Sequence, residues 1–525
     1  MNRTQAKVIF LLCAVIFVLA FLVSGRLWFR IDMTANNIFT ISEVSRSLHR
    51  EISDQVTITY FVSDRLALAH PMPSGIADLL REYAAHSRGR IRILQRDPQR
   101  ADLVRSVEDL GILPWQIQVI ENNQPATATV YSGILIEYLD RAAVIPLVIN
   151  PYTLEYDLSS RIRALVRNAP RELGVIVGDA ANLWHEDFRR LNSALFLAGF
   201  NVWLLHPGEP IPDTLPAVFV LGGAEDLDEF HLYFIDRYIS GGGNALFAVD
   251  GVFVDSRGNL QARPLHDGGL LAMLANYGAL VANALALDEA ALSLTFHDGT
   301  QVRSVRYPHW IAVQEQGGNP RHPLTAAFSG LDLYWASPLE LFPPPAVTAE
   351  ILFTSTEAAW LQRDAFITDP ASPSFFSDGF PHSSGTKILG AALSGIFPSA
   401  FEGLSLFPPV QRRPSRIIVI GDTDFASDIM EVGQSDARNL DFLVRAADWL
   451  SGNDDLLDIR GREAAGRLDR IADPERRRAV MAFSLIANTI LVPLAVALAG
   501  FVLVWKRSIR LRREKGRGHS AAINV

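Results

Sequence analysis

The sequence predicts an α/β protein carried on two membrane spans, and three observations lead there. Two long uncharged apolar runs lie near the ends of the 525-residue chain, β-branched runs alternate with amphipathic stretches between them, and the bases concentrate beside the second apolar run. An apolar share of 49% with 20% charged residues fits a folded chain of roughly three domains and excludes a small disulfide scaffold. The single cysteine, Cys13, excludes an intramolecular disulfide, a Cys-based zinc site and a CxxC redox pair. A net charge of −9 disfavours nucleic acid as a partner.

Residues 1–7 carry Arg3 and Lys7 and precede the first expected span, residues 8–29. Val8 to Ser24 is free of charge, and the run continues across Arg26, whose long stem lets its guanidinium reach the interface. A cleavable signal peptide is the alternative, but no small-x-small site precedes Arg26, so an uncleaved anchor is expected. The second span covers 479–505. It is followed by a basic tail, 506–525, with Lys506, Arg507, Arg510, Arg512, Arg513, Lys515 and Arg517 against the one acid Glu514. Lys and Arg flanking a span mark its cytoplasmic side, so both ends are expected inside and residues from about 30 to 475 outside. The outer region then carries about −17 of charge, because the tail and N-terminus take the bases.

The outer region reads as alternating strands and helices. Val56 to Val62 is a β-branched, aromatic strand, Gly75 to His86 a helix with Leu79, Leu80 and Tyr83, and Arg90 to Leu94 a strand, which together suggest a βαβ unit. Strand-like runs follow at Ile117 to Ile120, Ser132 to Tyr138 and Ala143 to Ile149, then a helix from Glu155 to Arg167. Pro170 divides a first outer domain, 30–170, from a second, 171–460. The second begins with strands at Leu173 to Val177, Asn201 to Leu205, Ala217 to Leu221 and Ala245 to Val249. Helices near Phe188 to Ala198 and Leu227 to Ile239 separate them, and Gly241 to Gly243 cap the latter helix. Short turns between such elements predict a parallel sheet flanked by helices. Residues from about 285 to 345 lose helical periodicity and read as a β-rich insertion. The pattern resumes at Ala349 to Phe353, Lys387 to Leu393 and Arg416 to Ile420, with a helix from Asn439 to Leu450 that Gly452 stops. Residues 461–478 are charged and read as a juxtamembrane stalk.

Catalytic motifs are not found. A nucleophile elbow requires GxSxG to expose its serine, and no such pentapeptide occurs. Gly379 to Lys387 lacks the P-loop spacing that lets backbone amides cradle phosphates, so ATP hydrolysis belongs to another chain. His185-Glu186 has no second histidine one turn on, which excludes a zincin helix. No catalytic, cofactor or metal residue is assigned. The best constellation is Gly421-Asp422-Thr423-Asp424-Phe425, directly after a predicted strand, where α/β proteins place their sites. Asp250 follows Ala245 to Val249 in the analogous position. Asp250, Asp422 and Asp424 are therefore the candidate residues, either as a ligand site or as side-chain caps of the turns.

Several segments resemble the GldG-like family, auxiliary proteins of ABC transporters related to a gliding-motility component. Arg30-Ile31-Asp32-Met33-Thr34 and Phe39-Thr40-Ile41-Ser42 are similar to the family's opening segment. Leu80-Arg81-Glu82-Tyr83, Arg90-Ile91-Arg92 with Asp97-Pro98, Leu154-Glu155-Tyr156-Asp157-Leu158 and His322-Pro323-Leu324-Thr325 follow in order. Gly421 to Phe425, Trp449-Leu450-Ser451-Gly452 and Ile459-Arg460 complete the set. The resemblance implies a non-catalytic subunit in the bacterial inner membrane, working beside an ABC ATPase and a multispanning ABC-2 type permease of an export system. It also implies outer domains with a thioredoxin-like fold and then a glutamine-amidotransferase-like fold. An amidotransferase needs a cysteine after a strand, and Cys13 lies in the first apolar run, so that activity is not expected. The alternative is an envelope-anchored enzyme or sensor acting through Asp422 and Asp424.

Overall fold

The computed structural model describes residues 41–100, 102–121, 124–178, 183–266, 268–297, 301–370, 385–402, 410–433 and 436–465. Both expected spans, the basic tail and most of the expected stalk lie outside these residues. Among the described residues no helix is long and apolar enough to cross a membrane.

The chain enters through helix α1 (Glu43–Glu51), whose N-cap Ser42 accepts from the Ser45 amide at 3.1 Å. A five-stranded sheet follows, built from β1 (Val56–Val62), β2 (Ile91–Arg96), β3 (Pro114–Glu121), β4 (Gln124–Tyr138) and β5 (Arg141–Ile145). Its order is β2-β1-β4-β3, with β5 also on β4. Only β1 and β2 are parallel, because among the strands that pair with each other only they are joined through helices, α2 (Asp64–Ala69) and α3 (Met72–Ala85). A short helix α4 (Val104–Asp109) precedes β3, and β5 leads into α5 (Leu154–Arg167). Ile76, Leu80 and Tyr83 of α3 and Leu154, Leu158 and Ile162 of α5 bury one face of this sheet. Helix α5 ends where Asn168 takes a left-handed conformation, φ 51°, just before Pro170.

A nine-stranded sheet dominates the rest. Its strands are β6 (Glu172–Val177), β7 (Asn201–Leu204), β8 (Ala217–Leu221), β9 (Asn244–Ala248), β12 (Ala279–Val281), β17 (Leu339–Leu341), β18 (Val347–Thr354), β20 (Ile388–Gly395) and β21 (Ser415–Ile420). The order runs β12-β17-β20-β21-β9-β8-β6-β7, with β18 on β20. Strands β7, β6, β8, β9 and β21 are mutually parallel. The expected parallel sheet is found in these five strands, and the correction comes at β20, which pairs antiparallel with β21, β17 and β18. The physical reason is the connection: a parallel neighbour needs a crossover, usually a helix, and the described residues between β20 and β21 contain none.

Side chains alternate across this sheet. Val175, Phe219, Leu246 and Ile418 enter one core beneath α6 (Leu183–Asp187), α7 (Arg189–Leu197) and α10 (Asp436–Leu450). Ile176, Val218, Phe247 and Val419 enter the other, beneath α8 (Glu229–Ser240) and α9 (Leu270–Tyr277). Three small sheets complete the fold. One pairs β10 (Val252–Val254) with β11 (Ala262–Pro264), and another pairs β13 (Leu285–Asp288) with β19 (Ala359–Gln362). The third joins β14 (Ala291–His297), β15 (Val302–Val313) and β16 (Leu331–Tyr334). The last described helix is α11 (Asp454–Ala465).

Candidate functional site

The ends of β9 and β21 bring the three aspartates named from sequence together. Gly421 comes first after β21, and it must be glycine: a Cβ there would lie 1.8 Å from the Ser337 carbonyl oxygen, while the Ser337 amide donates to the Gly421 carbonyl at 2.6 Å. That close approach aims Asp422 into the core. Its carboxylate is fully buried and accepts the Tyr334 amide at 2.5 Å and the Phe425 amide at 3.2 Å. Thr423 donates its amide to Asp250 at 2.9 Å and its hydroxyl to the Ala248 carbonyl at 2.9 Å. Ser427 donates to the Asp424 carboxylate at 3.3 Å.

Electrostatics follow from this confinement. Burial, then the neighbouring Asp250 and Asp424, hold the Asp422 carboxyl well above the usual carboxylate range. Burial, then Asp250, pushes Asp424 up to about 7, and burial raises Asp250. Asp424 lines a cavity of about 320 Å³ with Gly178, Gly222, Gly223, Thr423 and Ser427, while an ion pair between Arg257 and Asp187 stands at the same opening. Asp250 and Asp422 do not line it. Gly178 and Gly223 take positive φ, 47° and 89°, and their Cα atoms sit so close that a Cβ on Gly223 would come within 3.1 Å of Gly178 Cα. Among the described residues the lining offers carboxylates, hydroxyls and one guanidinium, and no His, Cys, Asp or Glu group of three or more is arranged to hold a metal ion.

A second constellation was not among the residues singled out, although its members sit inside the family-like segments. Glu155, buried at the start of α5, accepts the Ser42 amide and the Ser45 hydroxyl, each at 2.6 Å. Ser45 also meets the Ser159 hydroxyl at 2.9 Å, and Arg167 donates to Glu51 at 2.9 Å, so α1 runs alongside α5 in the same direction. On another side of α5, Asp448 of α10 accepts Arg171 at 2.8 Å and the Tyr156 hydroxyl. Arg171 lies over the Phe200 ring at 4.1 Å and Arg460 over Tyr156 at 4.2 Å. Arg163 forks onto Asp455, and Tyr156 packs on Leu456 and Ile459, so α11 runs antiparallel to α5 and reaches residues 151–153. Helix α10 serves both constellations: Asn439 donates to the Phe425 and Asp332 carbonyls at 2.9 and 2.8 Å beside Asp422, and Asp448 anchors the clamp.

Residues 171–446, more than half of the chain, match the family model described as an ABC-type uncharacterized transport system, and the chain belongs to this family of ABC transport auxiliary proteins. Residues 35–137 match a domain of unknown function (DUF7088). An uncharacterized protein of Borreliella burgdorferi is 25% identical over 483 residues, covering 90% of this chain and 92% of the relative. Among solved structures, an mmIFT52 N-terminal domain is 14% identical, with TM-score 0.32, over 53% of this chain and 96% of its own. A putative thua-like protein from Parabacteroides merdae is 11% identical, with TM-score 0.26, over 54% of this chain and 90% of its own. Neither likeness extends to function.

Proposed function

We propose that this protein is a non-catalytic, GldG-like membrane subunit of an ABC-type export system, mounted in the bacterial inner membrane beside an ABC ATPase and a multispanning permease. Its spans are residues 8–29 and 479–505, its termini are cytoplasmic, and its extracytoplasmic domains, 30–170 and 171–460, scaffold or gate at the surface of that inner membrane. The observation that carries this reading is the clamp on α5. Residue 42 is held at Glu155, and α11, antiparallel to α5, reaches residues 151–153. Residues 41 and 465, the two ends of the described region, therefore lie at the same end of α5, as a two-span mounting requires. The β-α-β unit of β1 and β2, followed by the antiparallel strands β3, β4 and β5 and then α5, supports the thioredoxin-like expectation, and the five parallel strands with helices on both faces support the amidotransferase-like one.

The alternative, an envelope-anchored enzyme or sensor using the Asp422/Asp424 strand end, would draw its general base or nucleophile from the carboxylates and hydroxyls that line the cavity beside Asp424. The reading predicts that reporter fusions after Thr34 are active outside and fusions at Ser520 inside. The full chain, solubilised in detergent, should retain a P-loop ATPase and a multispanning permease encoded beside it. Labelling of positions near Asp250 from the cytoplasm, or purification free of both partners, refutes it.

A further inference from the structure

An apolar tip lies at the N-terminal end of α5, the end that carries residues 41 and 465. Two stretches without a single Asp, Glu, Lys or Arg contribute to it, residues 66–77 and residues 146–154. They touch where Gly75 faces the Pro151 ring, a Cβ on the glycine standing 3.8 Å from Pro151 Cγ. They are tied again through β4: the Val148 amide donates to the Ser132 carbonyl at 2.7 Å, and Ser132 pairs with Val62, two residues before α2. Three large side chains on these stretches stand out in solvent: Leu68 at 89% exposure, Ile149 at 52% and Tyr152 at 44%. Connecting segments normally run over the surface with polar side chains, so uncharged stretches that expose a leucine, an isoleucine and a tyrosine call for a covering surface.

We infer that this tip rests in the headgroup region of the bilayer that holds the protein, with Leu68 and Ile149 entering the acyl boundary and the amphipathic Tyr152 at the interface. The inference rests on the two-span reading, and the position of the chain ends selects the occupant. Residue 41 is about a dozen residues past the first expected span and 465 a similar distance before the second. At no more than about 3.3–3.6 Å per residue, the shorter connection keeps that end of α5 within about 43 Å of the lipid surface, and it makes that end the one turned toward the bilayer. A tyrosine and two aliphatic side chains exposed on stretches without charge are a composition that favours a water–lipid boundary over bulk water.

The test uses the full chain carrying Cys13→Ser, with single cysteines introduced as Leu68→Cys, Ile149→Cys and Tyr152→Cys. Val302→Cys and Val432→Cys, at exposed apolar positions elsewhere, are the controls. Each is labelled with an environment-sensitive fluorophore and reconstituted into vesicles of phosphatidylethanolamine and phosphatidylglycerol. The tip labels should emit to the blue of the two controls and be quenched by lipids spin-labelled near the headgroup, while the controls are not. Tip labels as aqueous as the controls overturn the proposal. A blue shift that appears only when the ATPase and permease are added also overturns it, because the tip is then a protein interface. The Thr34 and Ser520 fusions separate the two readings. Fusions that keep their sides while the tip stays aqueous sink the docking alone, and fusions that reverse sink the two-span reading with it.

Discussion

Replacing Asp448 by alanine should release the clamp, and its size follows from what the carboxylate holds. Asp448 is fully buried, accepts Arg171 at 2.8 Å, and accepts the hydroxyl of the buried Tyr156. Two hydrogen bonds to a charged group at roughly 1.5–3 kcal/mol each give about 3–6 kcal/mol. Breaking a buried ion pair from one side costs about 3–5 kcal/mol by direct precedent, because the partner's charge stays buried. Arg171 is that partner, with its side chain 5% exposed and Nε and Nη1 already lacking acceptors. Loss of about 3–5 kcal/mol corresponds to a fall of roughly 2.2 to 3.7 orders of magnitude in hydrogen-exchange protection. It should be read in the amides of α5 and α11, measured on the full chain in nanodiscs by mass spectrometry. A double variant, Asp448→Leu with Arg171→Met, replaces the pair with apolar groups of similar volume and should recover most of the loss. Unchanged exchange in Asp448→Ala refutes the clamp. A double variant as weak as the single one means the loss came from packing and not from a stranded charge.

Gly421→Ala should cost more than about 4 kcal/mol, since its Cβ would overlap the Ser337 carbonyl oxygen and both contacts are backbone; a variant that melts like wild type contradicts the close approach. Asp424 titrates near 7 in the folded protein against an ordinary 3.8, so between these values the native state binds the extra proton. Its contribution to stability is full below about pH 4 and is lost as pH rises to about 7. Asp424→Asn should therefore gain on wild type in melting temperature across that window; a constant gap between the two curves refutes the assignment. Asp422→Ala strands the Tyr334 and Phe425 amides at about 1–3 kcal/mol each, and EDTA should leave the wild-type transition where it is. A sharp fall in EDTA, restored by a divalent ion, would make the aspartates a metal site.

The parallel half of the large sheet is legible because each strand is a short β-branched run set between helical patterns, as Leu173 to Val177 and Arg416 to Ile420 are. The antiparallel half is not legible by the same signal. The residues of β20 read like those of β21, and direction is decided by the connection rather than by the strand. Helices α2 and α4 escaped notice for a different reason: six residues make fewer than two turns, too few to repeat a hydrophobic spacing. The strand-end aspartates could be located by position alone, yet the amide that fixes Asp422 comes from Tyr334, 88 residues away and on a strand of another sheet.

The clamp shows the limit of periodicity most plainly. On α5 the pattern of Leu158, Ile162 and Leu165 marks one apolar stripe, and the usual rule assigns Glu155, Arg161 and Arg163 to solvent, because such side chains are rarely buried unless paired. All three are buried. Their partners are remote: Ser42 and Ser45 lie more than 100 positions before Glu155, Asp455 lies 292 positions after Arg163, and Arg161 reaches the Val144 and Leu197 carbonyls. A helix wrapped on several sides therefore reads, one residue at a time, like a helix with one wet face. Ser42, Tyr156, Ile459 and Arg460 belong to family-like segments that are each short and separately unremarkable, and the fold gathers these four residues at α5. Buried charges whose partners come from other parts of the chain link those parts energetically, because losing either partner strands the other. On that ground the two ends of the described region are held to one helix.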